Sequence, residues 1–294
     1  MIWLIGSKGM LGTDVELKLK ANGLEYTASD MDVDITDIEA LRNFAKDKEI
    51  GWIINCSAYT AVDKAEDEEA RAFKINADGV GNIAQVAKEK KAKLVHLSTD
   101  YVYDGKKYEA YLESDPTGPI GVYGKSKLKG EEKVLATVQE YFIFRISWLY
   151  GHHGANFVHT MLRLFAERDE VRVVRDQWGS PTFAKDVADL IIKVIKDNSS
   201  EYGIYHFTNS GRTNWYQFTL EIFNQAKERG LLKKEVNIIP ITTAGYPTKA
   251  RRPEYSYMSK DKVKKTFGVT LRPWQESLQE FIKIKAKNNI FNLN

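Results

Sequence analysis

Three glycines at three-residue spacing, Gly6, Gly9 and Gly12, follow directly on the apolar run Ile2-Trp3-Leu4-Ile5, and Leu11, Val15 and Leu19 then recur at helical spacing. That order reads as strand, tight turn, helix. Gly6 permits the turn, Gly9 lets backbone come close to a pyrophosphate, and Gly12 allows the helix to lie close on the strand. Free N–H groups and the helix dipole at the start of that helix favour an anion. A chain opening this way is committed to a dinucleotide-binding α/β unit.

The rest of the chain extends that unit. Trp52-Ile53-Ile54-Asn55-Cys56, a helical stretch from about Ala70 to Lys90, Leu94 to Ser98, a helix carrying Lys127, and Phe142 to Arg145 alternate strand with helix. Such alternation predicts a Rossmann-type, doubly wound parallel sheet, with ligands bound at the carboxyl ends of its strands. Those ends read Gly6, Asp30, Ser57-Ala58, Ser98-Thr99-Asp100 and Ser147-Trp148. Beyond Gly151 the pattern loosens into short strands and helices between polar loops. We read residues 1–148 as the dinucleotide-binding domain, with returns near 172–208 and 250–264. A smaller interleaved α/β substrate-binding lobe takes 149–171, 209–249 and 265–294, and the last eight residues are expected to fray.

Asp30, after the strand Tyr26 to Ser29, can accept hydrogen bonds from an adenosine ribose, which favours NADH. Lys8 in the glycine turn can neutralise a 2′-phosphate, so NADPH stays open. Asp34, beside Ile35, either reads the adenine edge or caps the helix that begins near Thr36-Asp37. Bulk properties exclude other classes. With a net charge of +3 among 294 residues, nothing suggests a nucleic acid polymer as partner. No run approaches the roughly 18 apolar residues of a membrane span, and the first residues read as a strand rather than a cleavable signal. The single cysteine, Cys56, rules out an internal disulfide, reads as packing, and makes the cytoplasm the expected compartment.

Tyr123 and Lys127 stand four apart on a predicted helix and so share a face. An ammonium near a phenol is expected to favour the phenolate and draw its pKa down from about 10, toward the range where proton transfer to an alkoxide is efficient.

Taken together, Gly6-x-x-Gly9-x-x-Gly12, Ser98-Thr99-Asp100 and Tyr123-x-x-x-Lys127 resemble the extended short-chain dehydrogenase/reductases. Further strings narrow the resemblance: Ala58-Tyr59-Thr60-Ala61-Val62-Asp63, Ser147-Trp148-Leu149-Tyr150-Gly151, Asn156-Phe157, Asp176-Gln177-Trp178-Gly179 and Ala250-Arg251-Arg252-Pro253. Over essentially the whole chain these are similar to the dTDP-4-dehydrorhamnose reductase family. The resemblance implies NADPH- or NADH-dependent reduction of a C4 ketone on a nucleotide sugar, with Tyr123 as proton donor, Lys127 beside the nicotinamide ribose, and Thr99 bonded to the carbonyl oxygen. It implies cofactor contacts at Gly6, Gly9, Met10 and Leu11, at Asp30, Asp34 and Ile35, and at Ala58 and Tyr59, besides Tyr123 and Lys127. Substrate contacts are implied at Thr99, Asp100, Tyr101, Trp148, Asn156, Phe157, Gln177 and Arg251. Arg252 competes with Arg251 for the diphosphate, and Trp148 is either a wall of the site or a core residue.

The family's sugar-nucleotide dehydratase cousins carry Glu where Tyr101 stands, so simple reduction is favoured over elimination. Met10 stands where the family often has Gln, and Ile146 where it commonly has Thr. His152, His153 and His159 read as a solvated loop rather than a metal site. The family's link to Mg²⁺ finds no assignable residues, and a homodimer stays open. Two alternatives remain: a reductase or epimerase for another nucleotide sugar, and a non-catalytic subunit such as the regulatory subunit of methionine adenosyltransferase, which the intact Thr99, Tyr123 and Lys127 oppose.

Overall fold

The computed structural model describes residues 1–291. The first half alternates β1 (Ile2–Ile5), α1 (Met10–Ala21), β2 (Tyr26–Ser29), α2 (Ile38–Ala45), β3 (Trp52–Asn55), α3 (Val62–Ala65), α4 (Glu69–Phe73), α5 (Val80–Lys90), β4 (Lys93–Thr99), α6 (Val122–Thr137) and β5 (Tyr141–Ile146). The second half runs β6 (Leu149–Tyr150), α7 (Phe157–Glu167), β7 (Glu170–Val174), β8 (Trp178–Gly179), β9 (Thr182–Phe183), α8 (Ala184–Lys196), β10 (Gly203–His206), β11 (Thr213–Asn214), α9 (Trp215–Glu228), β12 (Asn237–Ile241), α10 (Asp261–Phe267) and α11 (Trp274–Phe291). Of the last eight residues, which were expected to fray, 287–291 instead continue α11, and 292–294 lie outside the described residues.

Six strands form one parallel sheet in the order β2-β1-β3-β4-β5-β10. The expected doubly wound parallel sheet is therefore present. Successive side chains of a strand face opposite sides, so a strand covered on both sides is apolar throughout. Ile2 and Leu4 pack with Leu11, Val15 and Leu19 of α1 and with Val187 and Ile191 of α8. Trp3 and Ile5 pack on the other face with Leu41 of α2, Ile83 of α5 and Val134 of α6. A third core gathers Val158 and Phe165 of α7, Val171 and Val173 of β7, Phe218 and Ile222 of α9, and Leu278 and Phe281 of α11. Of the stretch 172–208, β10 and α8 thus join the main sheet and its core, whereas β7 pairs with β12 and packs in the third core.

The stretch from 70 to 90 is helical but not uniform, because a π-helical turn, Lys74–Gly79, joins α4 to α5. Helix α6 lies directly on this turn: a Cβ at Gly130 would stand 2.2 Å from the Asn76 carbonyl oxygen. Widened turns of this kind mark functional sites, since they re-aim side chains that a regular helix would point elsewhere.

The order in which strands are added reverses between β1 and β3, the point where ligands of such sheets bind. Gly6 has φ +77°, and a Cβ there would meet the Ser57 nitrogen at 2.7 Å. A Cβ at Gly12 would stand 2.0 Å from the Gly6 carbonyl oxygen. Helix α1 can therefore sit on the turn only without a side chain at residue 12. Gly12→Ala is expected to cost about 1–3 kcal/mol, as overpacking does, and to weaken dinucleotide binding, because α1 must lift off the turn. Urea midpoints and a binding titration check both.

Candidate active site

Residues at the amino end of α1 fit a dinucleotide phosphate. Gly9 is the N-cap, no side chain caps it and no acidic residue lies in the first turn. A Cβ at Gly9 would meet only the Gly6 carbonyl, at 3.3 Å, so the turn is open on that side. Met10 is half-buried and Leu11 is buried in the sheet core. At the end of β2, the Asp30 carboxylate accepts the backbone N–H of Lys8 at 2.9 Å and of Met31 at 2.9 Å. It ties the glycine turn to β2. Asp34 accepts the N–H and hydroxyl of Thr36, both at 2.8 Å, which hold its carboxyl below the usual range. The cap of α2 is Asp37, which accepts from the Glu39 N–H. Ile35 is buried in the core, its side chain against Gly79.

Ala58 and Tyr59 follow β3, and Asn76 of the π turn holds them. Its amide accepts the Tyr59 N–H at 2.8 Å and donates to the Tyr59 carbonyl at 3.0 Å and to Ser126 of α6 at 3.0 Å. Asn76 was not among the residues expected from the sequence, nor were Met161, Trp215 and Tyr246 of the cleft beyond Tyr101. An asparagine inside a helical stretch carries no visible signal until the turn widens and aims it across.

At the ends of β4 and α6, Tyr101 meets Tyr123 edge-on, with ring centroids 5.5 Å apart. Thr99 donates to Asp100 at 3.1 Å and accepts the Tyr101 N–H at 3.2 Å. Burial pushes Asp100 up to about 6, with Ser256 and Thr99 opposing, and leaves one of its oxygens without a partner. Burial also pushes Tyr123 up to about 12, with Thr99 opposing and Asp100 adding to the rise. The expected lowering of Tyr123 by Lys127 is absent. Lys127 instead donates to the Leu97 carbonyl at 2.6 Å and is itself pushed down to about 8 by burial, Glu131 opposing. Desolvation outweighs the charge in the ligand-free site.

Beyond Tyr101 opens a cleft of about 660 Å³, walled by Phe157 and Met161 of α7, Gln177, Trp215, Tyr246 and Arg252. Gln177 donates to Thr243 at 3.1 Å. Arg252 reaches this cleft and is braced by Asp63 at 2.7 Å, whereas Arg251 is exposed and lines only the adjoining cavity among those described. Asn156 caps α7, accepting the His159 N–H at 3.1 Å and donating to the Gly151 carbonyl at 2.8 Å. Trp148 has φ +47°, a strained conformation for a bulky residue. Trp215 stacks on its ring at 3.7 Å, and a Cβ at Gly179 would stand 2.8 Å from that ring. Trp148 is thus clamped in place, a detail its sequence position did not suggest. His152 stacks on Phe281 at 4.5 Å and His159 meets the same ring edge-on at 5.2 Å.

A sequence model of the family described as RmlD substrate binding domain matches residues 1–286. The chain belongs to this family. The dTDP-4-dehydrorhamnose reductase of Aggregatibacter actinomycetemcomitans is 39% identical over 282 residues, 94% of this chain and 96% of the relative. Two solved structures share this RmlD-family fold, each covering 96% of this chain and 98% of its own. The dTDP-4-dehydrorhamnose reductase of Clostridium acetobutylicum is 41% identical with a TM-score of 0.91. That of Bacillus anthracis, in complex with NADP, is 38% identical with a TM-score of 0.91. Among the described residues of this RmlD-family chain, no group of three His, Cys, Asp or Glu is placed to hold a metal, and no helix is long and apolar enough to cross a membrane.

The Asp100 carboxyl sets a testable sign. Its pKa is higher folded than unfolded, so between about pH 4 and pH 6 the native state binds more protons and stability falls as pH rises. The penalty is fully present above that window. Asp100→Asn is expected to stabilise the ligand-free protein by about 2–3 kcal/mol at pH 8 and hardly at all at pH 4. Urea unfolding at the two values checks it.

Proposed function

We propose that the chain reduces the C4 ketone of dTDP-4-dehydro-β-L-rhamnose to dTDP-β-L-rhamnose, with NADPH or NADH as the reductant. The observation that carries this reading is the edge contact between Tyr101, which walls the nucleotide-sized cleft, and Tyr123, the proton donor. A ketone at the inner end of that cleft lies within reach of the phenol. The named relatives, similar over nearly the whole length, support the same substrate.

When bound, the reduced nicotinamide supplies hydride to the ketone carbon. The chain's own residues do the rest. The Thr99 hydroxyl bonds to the ketone oxygen and stabilises its growing negative charge, a contribution worth roughly a hundred- to a thousandfold in comparable sites. Tyr123 gives its proton to that oxygen. A phenol pushed up to about 12 is fully protonated at neutral pH, which suits a donor in the reductive direction, because the alkoxide it must neutralise is a still stronger base. Lys127 holds the nicotinamide ribose and delivers positive charge beside the reaction once the cofactor draws it from the Leu97 carbonyl. Asp100 and Tyr101 face the hexose, and Trp148 closes one side. Gln177, Asn156 and Phe157 bound the nucleotide. Arg252, braced by Asp63, and Arg251 are the candidates for the diphosphate, where a guanidinium can fork onto two oxygens.

We read residues 1–148 with α8, β10 and α10 as the cofactor-binding part, and the third core as the substrate lobe. We further propose a cytoplasmic enzyme. Mg²⁺ enters no part of this reading.

Generating the keto sugar in situ from dTDP-glucose with the upstream dehydratase and epimerase, while following NADPH and NADH oxidation and the sugar product, tests the reaction. Product that appears without cofactor consumption, or consumption independent of the cascade, would sink it. In that assay Tyr123→Phe should lower kcat about 100- to 10,000-fold with cofactor affinity largely kept, since the ring stays and the proton goes. Asp30→Ala should weaken NADH more than NADPH, read by cofactor titration. An equal loss would mean that Asp30 acts only through the glycine turn it ties down.

A further inference from the structure

Behind Tyr123 and Lys127, where no substrate reaches, the protein buries a complete ion pair. Glu131 and Arg145 are 1% and 4% exposed at their side chains, and their nearest oxygen and nitrogen are 2.6 Å apart. The second carboxylate oxygen accepts Arg145 Nε at 3.0 Å and the Ser98 hydroxyl. Arg145 donates its remaining branch to the Tyr103 hydroxyl at 2.7 Å, which in turn meets His206 Nε2 at 2.7 Å. Removing two charges from water is expensive, and a pair of apolar residues is often at least as stable in such a place. Stability alone therefore does not account for the pair.

Its position suggests what does. Glu131 is one helical turn beyond Lys127 and two beyond Tyr123, so the three share a face of α6. Ser98, which Glu131 holds, lies between Leu97, whose carbonyl receives Lys127, and Thr99. One carboxylate thus ties α6, which carries the proton donor and the lysine, to β4, which carries the threonine, and to β5. The groups facing Lys127 are few. On α6 they are Tyr123 and Glu131, at the end of β3 the Cys56 thiol, and on β4 His96; Arg145 of β5 stands behind Glu131. His96 is buried and Cys56 half-buried, and desolvation keeps both neutral, the thiol pushed up to about 12 and the imidazole held well below its ordinary value. Glu131 is the one anion in this set.

We propose that Glu131, clamped by Arg145 and Ser98, is the positioning residue that keeps Lys127 an ammonium and in register with Thr99 and Tyr123. Without that anion, burial favours the neutral amine, which can neither attract the growing charge nor donate three hydrogen bonds. Arg145 serves by fixing the carboxylate in place with two hydrogen bonds. This inference rests on the reading of Lys127 given above.

The test is the alkaline limb of kcat/KM for keto-sugar reduction, with the coupling enzymes in excess at every pH. In the wild type the limb should fall near pH 8, where Lys127 loses its proton. Glu131→Gln, which keeps the shape and loses the charge, should move it down by about one pH unit or more. Glu131→Asp and Arg145→Lys damage the same hydrogen bonds but keep the charges, and should leave the limb within a few tenths of a unit of the wild type, although both lower the melting temperature. A limb that stays put in Glu131→Gln overturns the proposal and leaves the pair a structural staple. Should Glu131→Gln not fold, Glu131→Gln/Arg145→Gln replaces both buried charges with an amide pair. The limb should still move down, and an unchanged limb overturns the proposal equally. Lys127→Met separates the two readings. If its residual activity keeps the wild-type limb, the lysine assignment falls. If the limb disappears there yet ignores Glu131, only the positioning role falls.

Discussion

The close approach of backbone to backbone at the turn after β1 governs everything built above it. Gly6 lies against the backbone of Ser57, and Gly12 brings α1 onto the Gly6 carbonyl with no room for a methyl group. That contact sets the uncapped amino end of α1 at the crevice where the strand order reverses, an arrangement that favours an anion. The ends of β3, β4 and β5 lie alongside the same crevice. Thr99 ends β4 and Trp148 follows β5 at that same edge of the sheet, both more than eighty residues beyond the two glycines in the chain.

The site's electrostatics follow from burial more than from pairing. Desolvation raises Tyr123 and Asp100 and lowers Lys127; hydrogen-bonding partners and Glu131 oppose these shifts, whereas Asp100 adds to the rise at Tyr123. All three are thereby biased toward their neutral forms before ligand arrives. At Lys127 the bias is opposed by the carboxylate of Glu131, one helical turn away. The strained backbone at Trp148, held by Trp215 and Gly179, is a second case of local cost kept at the site because packing leaves no alternative.

Much of this was legible along the chain. Alternating apolar runs specify strands covered on both faces, and the β/α alternation specifies a parallel sheet, because parallel strands need crossovers. The Tyr123 and Lys127 spacing specifies a shared helix face. Less legible was whatever depends on one widened or strained turn. Asn76 looked like any helical residue until the π turn aimed it at Tyr59 and Ser126. Asp34 was a candidate cap for the helix expected near Thr36-Asp37, but its carboxylate turns onto Thr36 and the cap is Asp37, three residues on. Arg251 and Arg252 are adjacent, so neighbouring backbone turns them apart, and Asp63, nearly two hundred residues away, braces the one that reaches the cleft.

By itself the sequence determined the class of sheet, the strand, turn and helix that leave the amino end of α1 uncapped, and the shared helix face of the Tyr123 and Lys127 pair, because these rest on spacing within a single strand or helix. Tertiary structure alone decided the charge state of that pair and the company it keeps. Whether Lys127 is an ammonium depends on how deeply α6 is buried and on a carboxylate fixed by an arginine from another strand. Desolvation and buried pairing are properties of packed neighbours, and no local spacing encodes them.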